Sequence, residues 1–187
     1  MGPMQGIFSK NAFGKDYRME GIIMEETIFR RVSIRKYQDR PVEDEKMIML
    51  LKAAMAAPSA GNQRPWEFYA INKPDILAKL SACSPYAGCA QNAPAAIVIC
   101  YRKEIPMPDF ALIDCAIAGE NILLEAVDQQ LGAVMLAVAP IKDRMDAVKQ
   151  VLKMPDSLEP FMLIPVGYPA ENPAPKQNWD SSRVHHV

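Results

Sequence analysis

The chain has 187 residues, is 50% hydrophobic, and carries a formal net charge of -1 with a pI near 6.1. That length fits one domain with a substantial core, and the near-neutral balance gives no electrostatic reason to expect nucleic acid or an anionic membrane as a partner. No stretch reaches the ~18 consecutive apolar residues of a membrane span.

Residues 1–23 contain Lys10, Lys15 and Arg18 but no continuous apolar run, so they do not read as a secretory signal and a cytoplasmic location is expected. The stretch reads as a mobile extension, an arm that wraps a partner subunit, or sequence upstream of a start at Met24; the first and third readings are preferred. A single domain is expected over 24–187.

Next comes Arg31-x-Ser33-x-Arg35. In an extended segment every second side chain points the same way, so two guanidiniums and a hydroxyl converge. Such forked, charge-assisted donors suit the oxygens of a phosphomonoester. The competing reading is a solvated basic face made of Arg30, Arg31, Arg35 and Lys36.

Residues 42–56 place Met47, Leu50, Leu51, Ala54 and Met55 at helical spacing, with acids in the first turn that suit the N-terminal dipole. Pro58 stops this helix. Residues 59–65, Ser-Ala-Gly-Asn-Gln-Arg-Pro, form a turn-rich loop ahead of Trp66 and a strand over 67–71. Held between a helix end and a strand, the loop can aim amides and hydroxyls at a planar heterocycle, or serve as an ordinary connection.

Downstream, a helix is expected from Pro74 to about Ala82, a buried strand over 95–101, and a long helix over about 109–130. That helix presents Phe110, Ile113, Ile117, Leu124, Val127 and Leu131 as a broad apolar face. Its small residues Ala116, Ala118 and Gly119 would admit another helix. A strand over 134–139, a helix over 143–152 and a strand over 161–167 complete the pattern. Without a regular βαβ rhythm or a glycine-rich phosphate loop, the class is α+β.

Cys83, Cys89, Cys100 and Cys115 form no Cys-x-x-Cys pair, and the only histidines are His185 and His186. No metal site is expected, and the thiols read as small core or near-core residues in a reducing compartment.

Taken together, Arg31-x-Ser33-x-Arg35 and Pro58-Ser59-x-x-Asn62-x-x-Pro65-Trp66 resemble the nitroreductase family of flavin mononucleotide (FMN) enzymes, with further similarity from about Glu25 to Val184. The resemblance implies a three-layer fold, a mainly antiparallel central sheet flanked by helices. It also implies a homodimer with FMN sites at the subunit interface, each built from both chains. The cofactor-binding set it implies is Arg31, Ser33, Arg35, Pro58, Ser59, Ala60, Asn62, Ala137, Lys176 and Arg183. No catalytic side chain is expected, because the chemistry belongs to the flavin N5. NAD(P)H would reduce the flavin, and a small nitroaromatic, quinone-like or related acceptor would reoxidise it in a ping-pong cycle. Donors from Ser59, Asn62 and loop amides would favour the reduced anion. Arg64 is a candidate for the nicotinamide or acceptor side, or a merely exposed cation.

Two departures stand out. Relatives commonly carry Gly-x-Val-Trp-x-Gly where this chain has Gly132-Ala133-Val134-Met135-Leu136-Ala137, and Asn178 replaces the second of two basic residues that begin with Lys176. Alternative readings keep the flavin but change the chemistry to reductive dehalogenation or flavin fragmentation, or make the chain a non-catalytic flavin-binding protein.

Overall fold

The structure is a computed structural model that describes residues 23–176 and 178–187. The N-terminal extension therefore lies, apart from its last residue, outside the described residues. The elements are α1 (Ile23–Arg30), α2 (Asp44–Met55), β1 (Trp66–Ile71), α3 (Pro74–Ser81), β2 (Ala95–Arg102), α4 (Ala111–Asp128), β3 (Gly132–Ala133), β4 (Leu136–Ala137), α5 (Lys142–Leu152) and β5 (Leu158–Gly167).

All the strand pairs are antiparallel, in the order β1-β2-β5, with β3 and β4 following one another along the outer edge of β5. Strand β2 is central and apolar from Ala95 to Cys100, and its alternate residues enter two different cores. Ala95, Ile97 and Ile99 pack with Leu50 and Ala54 of α2 and Cys115, Ala118 and Ile122 of α4. Ala96, Val98 and Cys100 pack with Leu77 and Leu80 of α3 and Met145 and Val148 of α5. The result is the expected sheet between helical layers, with two of the thiols, Cys100 and Cys115, buried and Cys83 and Cys89 half-buried.

Two expectations are corrected. The strand expected over 134–139 is two short pieces, although the register runs on unchanged, Ala133 opposite Val166 and Leu136 opposite Leu163. The interruption lies where Val134 faces Pro165: the Val134 amide donates to the Pro165 carbonyl at 3.4 Å, but proline returns no N–H. Second, β5 begins at Leu158 rather than Phe161. Pro160 is tolerated because the β2–β5 register shifts between Ile99 and Cys100, leaving Phe161 as the extra residue. Its carbonyl turns outward and accepts from the Val138 and Ala139 amides.

The apolar face read along α4 is covered only in part: Leu131 is buried, and Leu124 and Val127 are half-buried. Gly119 lies against β5, where a Cβ would fall 2.6 Å from the Met162 Sδ, and α2 packs on α4 with Asn121 Nδ2 donating to the Ala53 carbonyl at 2.9 Å. Phe110, just ahead of α4, and Ile113 and Ile117 within it are exposed at 47%, 56% and 37%. The helix ends at Gln130, in the left-handed region at φ 60°, with the Leu131 amide bonded back to the Ala126 carbonyl. No helix among the described residues is long and apolar enough to cross a membrane.

Candidate functional site

Residues 31–35 follow α1 as an extended segment. Ser33 makes a parallel bridge with Ala133, and the Ile34 amide donates to the Ala133 carbonyl at 3.0 Å. Ile34 is buried against Gly132, where a Cβ would fall 2.6 Å from Ile34 Cγ1; only glycine lets the segment lie this close to β3. With Ile34 turned inward, alternation assigns Arg31, Ser33 and Arg35 to the opposite side, and Arg35 is exposed.

The segment is then stapled to the C-terminal end of β5. The Gln38 amide donates to the Tyr168 carbonyl, and the Ala170 amide to the Lys36 carbonyl. Tyr37 donates its hydroxyl to the Ile34 and Pro165 carbonyls at 2.7 and 3.2 Å, and burial pushes its pKa up, keeping it a neutral donor. Glu171 Oε1 accepts from the Arg35 and Lys36 amides at 2.6 and 3.1 Å. The Arg35 amide foremost, working against desolvation, and then the Lys36 amide hold the Glu171 carboxyl below its usual range.

This staple brings residues from both ends of the chain to one cleft. Arg31 and Lys176, together with Ile28, Phe29, Asn178 and Trp179, line a space of about 360 Å³. Arg31 Nε pairs with Glu120 Oε1 of α4 at 3.3 Å, an attachment through the inner nitrogen of the guanidinium.

The second motif is fastened to the first turn of α4, through Asp114. Pro58 and Ser59 lead into a 3-10 turn over Ala60–Asn62. Asp114, 2% exposed, accepts the Ala60 amide on Oδ1 at 2.9 Å and Gln63 Nε2 on Oδ2 at 2.8 Å. Gln63 also exchanges bonds with the backbone of Met107, donating to its carbonyl and accepting from its amide, both at 3.0 Å. Ser59 Oγ accepts the Arg64 amide at 2.9 Å, which leaves its hydroxyl hydrogen to donate elsewhere. Asn62 Oδ1 accepts Arg64 Nε at 2.9 Å, which leaves its NH₂ side.

Among the described residues no hydrogen bond or ion pair joins these two constellations within one chain. Asp114 holds the loop and Glu120 holds the clamp, and six residues of helix separate them by about 9 Å along α4 and about 120° around it. Ala137 stands elsewhere, exposed on β4, with its carbonyl bonded by Arg144 of α5 at 3.1 Å. Arg183 lies in a C-terminal turn with its Nε on Asp180 at 3.1 Å, and it does not line the cleft.

Reading the motifs alone overlooks Asp114, Glu120 and Glu171, the carboxylates that position them. Of these only Asp114 left a signal, an acid set in the apolar run Ala111-Leu112-Ile113-Asp114-Cys115-Ala116-Ile117. A buried acid there requires partners. Among the described residues no group of three or more His, Cys, Asp or Glu could hold a metal ion. The arrangement offers paired cations beside aromatic walls at one place and a rigid loop of hydrogen-bond donors at another.

Comparison with known proteins accounts for this pairing of motifs. The family model described as the nitroreductase family matches residues 28–84 and 85–168. A protein of Methanothermobacter thermautotrophicus, named "Putative NADH dehydrogenase/NAD(P)H nitroreductase", is 42% identical over 161 residues, 86% of this chain and 84% of its own. An FMN-dependent nitroreductase from Clostridium difficile superposes with a TM-score of 0.82 at 32% identity, covering 87% of this chain and 98% of that one. A structure from Desulfovibrio desulfuricans in complex with FMN superposes at 0.77, with 26% identity over 90% of this chain and 98% of that one. By the match of the family model across most of its length, the chain belongs to the nitroreductase family.

Proposed function

We propose that the chain is an FMN-dependent oxidoreductase that draws on NADH or NADPH to reduce nitroaromatic, quinone or related acceptors, and that it works in the cytoplasm as a homodimer with its flavin sites at the subunit interface. The observation that carries this reading is the cleft in which Arg31 and Lys176 converge beside Phe29 and Trp179. Its donor set fits flavin mononucleotide: two cations for a phosphomonoester, and apolar and aromatic walls for what the phosphate carries. Arg31, Ser33, Arg35 and Lys176 would hold the phosphate, with Arg183 a contributor from the C-terminal turn, and Pro58, Ser59, Ala60, Asn62 and Ala137 would border the ring. When bound, the flavin would supply the redox chemistry that links the nicotinamide donor to the acceptor.

The protein's own part is positional. Because Ser59 and Asn62 spend their acceptor sides on Arg64, their remaining donor sides are available to a ligand. They put partial positive charge where electron density grows on reduction. Four free cysteines suit a reducing compartment.

The homodimer is supported by the exposed stripe of Phe110, Ile113 and Ile117 at the start of α4, apolar surface of a kind that marks an interface. The separation of clamp and loop around α4 supports a site completed by the loop of a second chain. The test is the visible spectrum of the purified protein before and after anaerobic addition of NADH or NADPH. A flavin band that bleaches, and recovers on adding a quinone, is the expected result. A colourless protein that FMN does not reconstitute refutes the reading. In the Arg31→Ala/Arg35→Ala double variant, flavin should be lost on desalting while the fold persists, because the phosphate contacts are local.

A further inference from the structure

We propose that Arg64 is a specificity-determining residue, a preset cation that receives a phosphate of the nicotinamide donor; this rests on the NAD(P)H oxidoreductase reading above. Backbone conformation is the first sign. Gly61, Asn62 and Arg64 all have left-handed backbone, at φ 52°, 57° and 46°. Glycine and asparagine adopt that region readily, whereas arginine gains nothing from it locally. An outlier kept in place by its surroundings points to a use for the side chain.

Those surroundings are fully engaged. The Arg64 amide donates to Ser59 Oγ at 2.9 Å, its carbonyl accepts from Arg102 Nη2 at 2.7 Å, and its Nε donates to Asn62 Oδ1 at 2.9 Å. Arg102 is itself paired with Glu67 at 3.7 Å. Backbone and inner nitrogen are therefore fixed, while no ion pair among the described residues takes the outer nitrogens of Arg64. That outer edge is a planar fork whose spacing matches the oxygens of a phosphate. It is carried on an exposed tip of the loop that borders the proposed ring site. A nicotinamide dinucleotide brings such oxygens in its pyrophosphate, and NADPH brings them in its 2′-phosphate as well.

The experiment compares Arg64→Asn and Arg64→Lys with the wild-type holoenzyme, using NADPH, NADH and the phosphate-free donor 1-benzyl-1,4-dihydronicotinamide, with menadione as acceptor. Asparagine keeps the left-handed turn without the charge, so retained flavin and an unlowered melting temperature show that the loop is intact. The expected result is that R64N raises KM about tenfold or more for phosphate-bearing donors, the size of one charge-assisted contact, while kcat/KM for the benzyl compound stays within about twofold. Arg64→Lys recovers part of the loss, having charge without the fork. A rise for both dinucleotides assigns the pyrophosphate, and a rise for NADPH alone assigns the 2′-phosphate. An equal fall with all three donors, or no change with any, overturns the proposal. A wild-type flavin that no nicotinamide reduces overturns the oxidoreductase reading and this one with it, whereas normal reduction of wild type with an unaffected R64N overturns this one alone.

Discussion

Asp114 and Glu171 illustrate how single carboxylates set the geometry of motifs that lie far from them in sequence. Both oxygens of Asp114 are used, one by the Ala60 amide and one by Gln63, in a position closed to water. Asp114→Ala removes the acceptor of two part-buried donors, so a loss of about 1–3 kcal/mol in urea unfolding is expected, with Asp114→Asn recovering part because Oδ1 still accepts from Ala60. Glu171 is the pH-sensitive member. Its carboxyl is held below the usual range chiefly by the Arg35 amide, so its unfolded-state value is the higher of the two. The contribution is then fully present above the ordinary carboxylate value and is lost as pH falls through the lower folded-state value. Hydrogen-exchange protection of the Arg35 and Lys36 amides should fall across that acidic window in wild type. In Glu171→Gln it should already be reduced at neutral pH and vary little with acid.

Between elements, the decisive contact is the one that seats the clamp on β3. Gly132 and Ile34 meet with no room for a methyl group, since a Cβ would lie 2.6–2.7 Å from three atoms of the Ile34 side chain. Gly132→Ala must push the segment outward at a cost of about 1–3 kcal/mol, the usual penalty of overpacking. The measurable outcomes are a lowered melting temperature and faster release of bound FMN. Both follow because the parallel bridge at Ser33 and the Ile34 amide bond depend on that approach. The interrupted edge of β5 belongs to the same scale. Pro165 breaks the ladder between β3 and β4 but keeps the register, so Gly132 and Ala137 remain on one edge.

For the molecule as a whole, α4 is the organising axis. One side faces the sheet, one end holds the loop through Asp114, its middle holds the clamp through Glu120, and an apolar stripe is left uncovered. Charging that stripe with Ile113→Lys and Ile117→Lys should leave each chain folded, because both residues are exposed, while shifting the sedimentation coefficient from dimer to monomer. If each site takes its loop from the second chain, flavin retention should fall in step with dissociation. A variant that remains dimeric, or a monomer that retains flavin, speaks against the shared site.

Much of this was legible in the sequence for a physical reason: helical and strand periodicities are local, so α2, α3, α5, β1 and β2 appear within a residue or two of their expected bounds. The two binding motifs are also contiguous, and their residue types carry their chemistry wherever they are placed. What the sequence alone misread was decided by neighbours distant in the chain. A strand was split by a proline on its partner, and another begins three residues early because a register shift accommodates its Pro160. Local propensity determined which elements form and which residues could bind. Only tertiary packing, which sets side chains against partners that sequence order does not reveal, decided which carboxylates aim them and which surface of α4 is left uncovered.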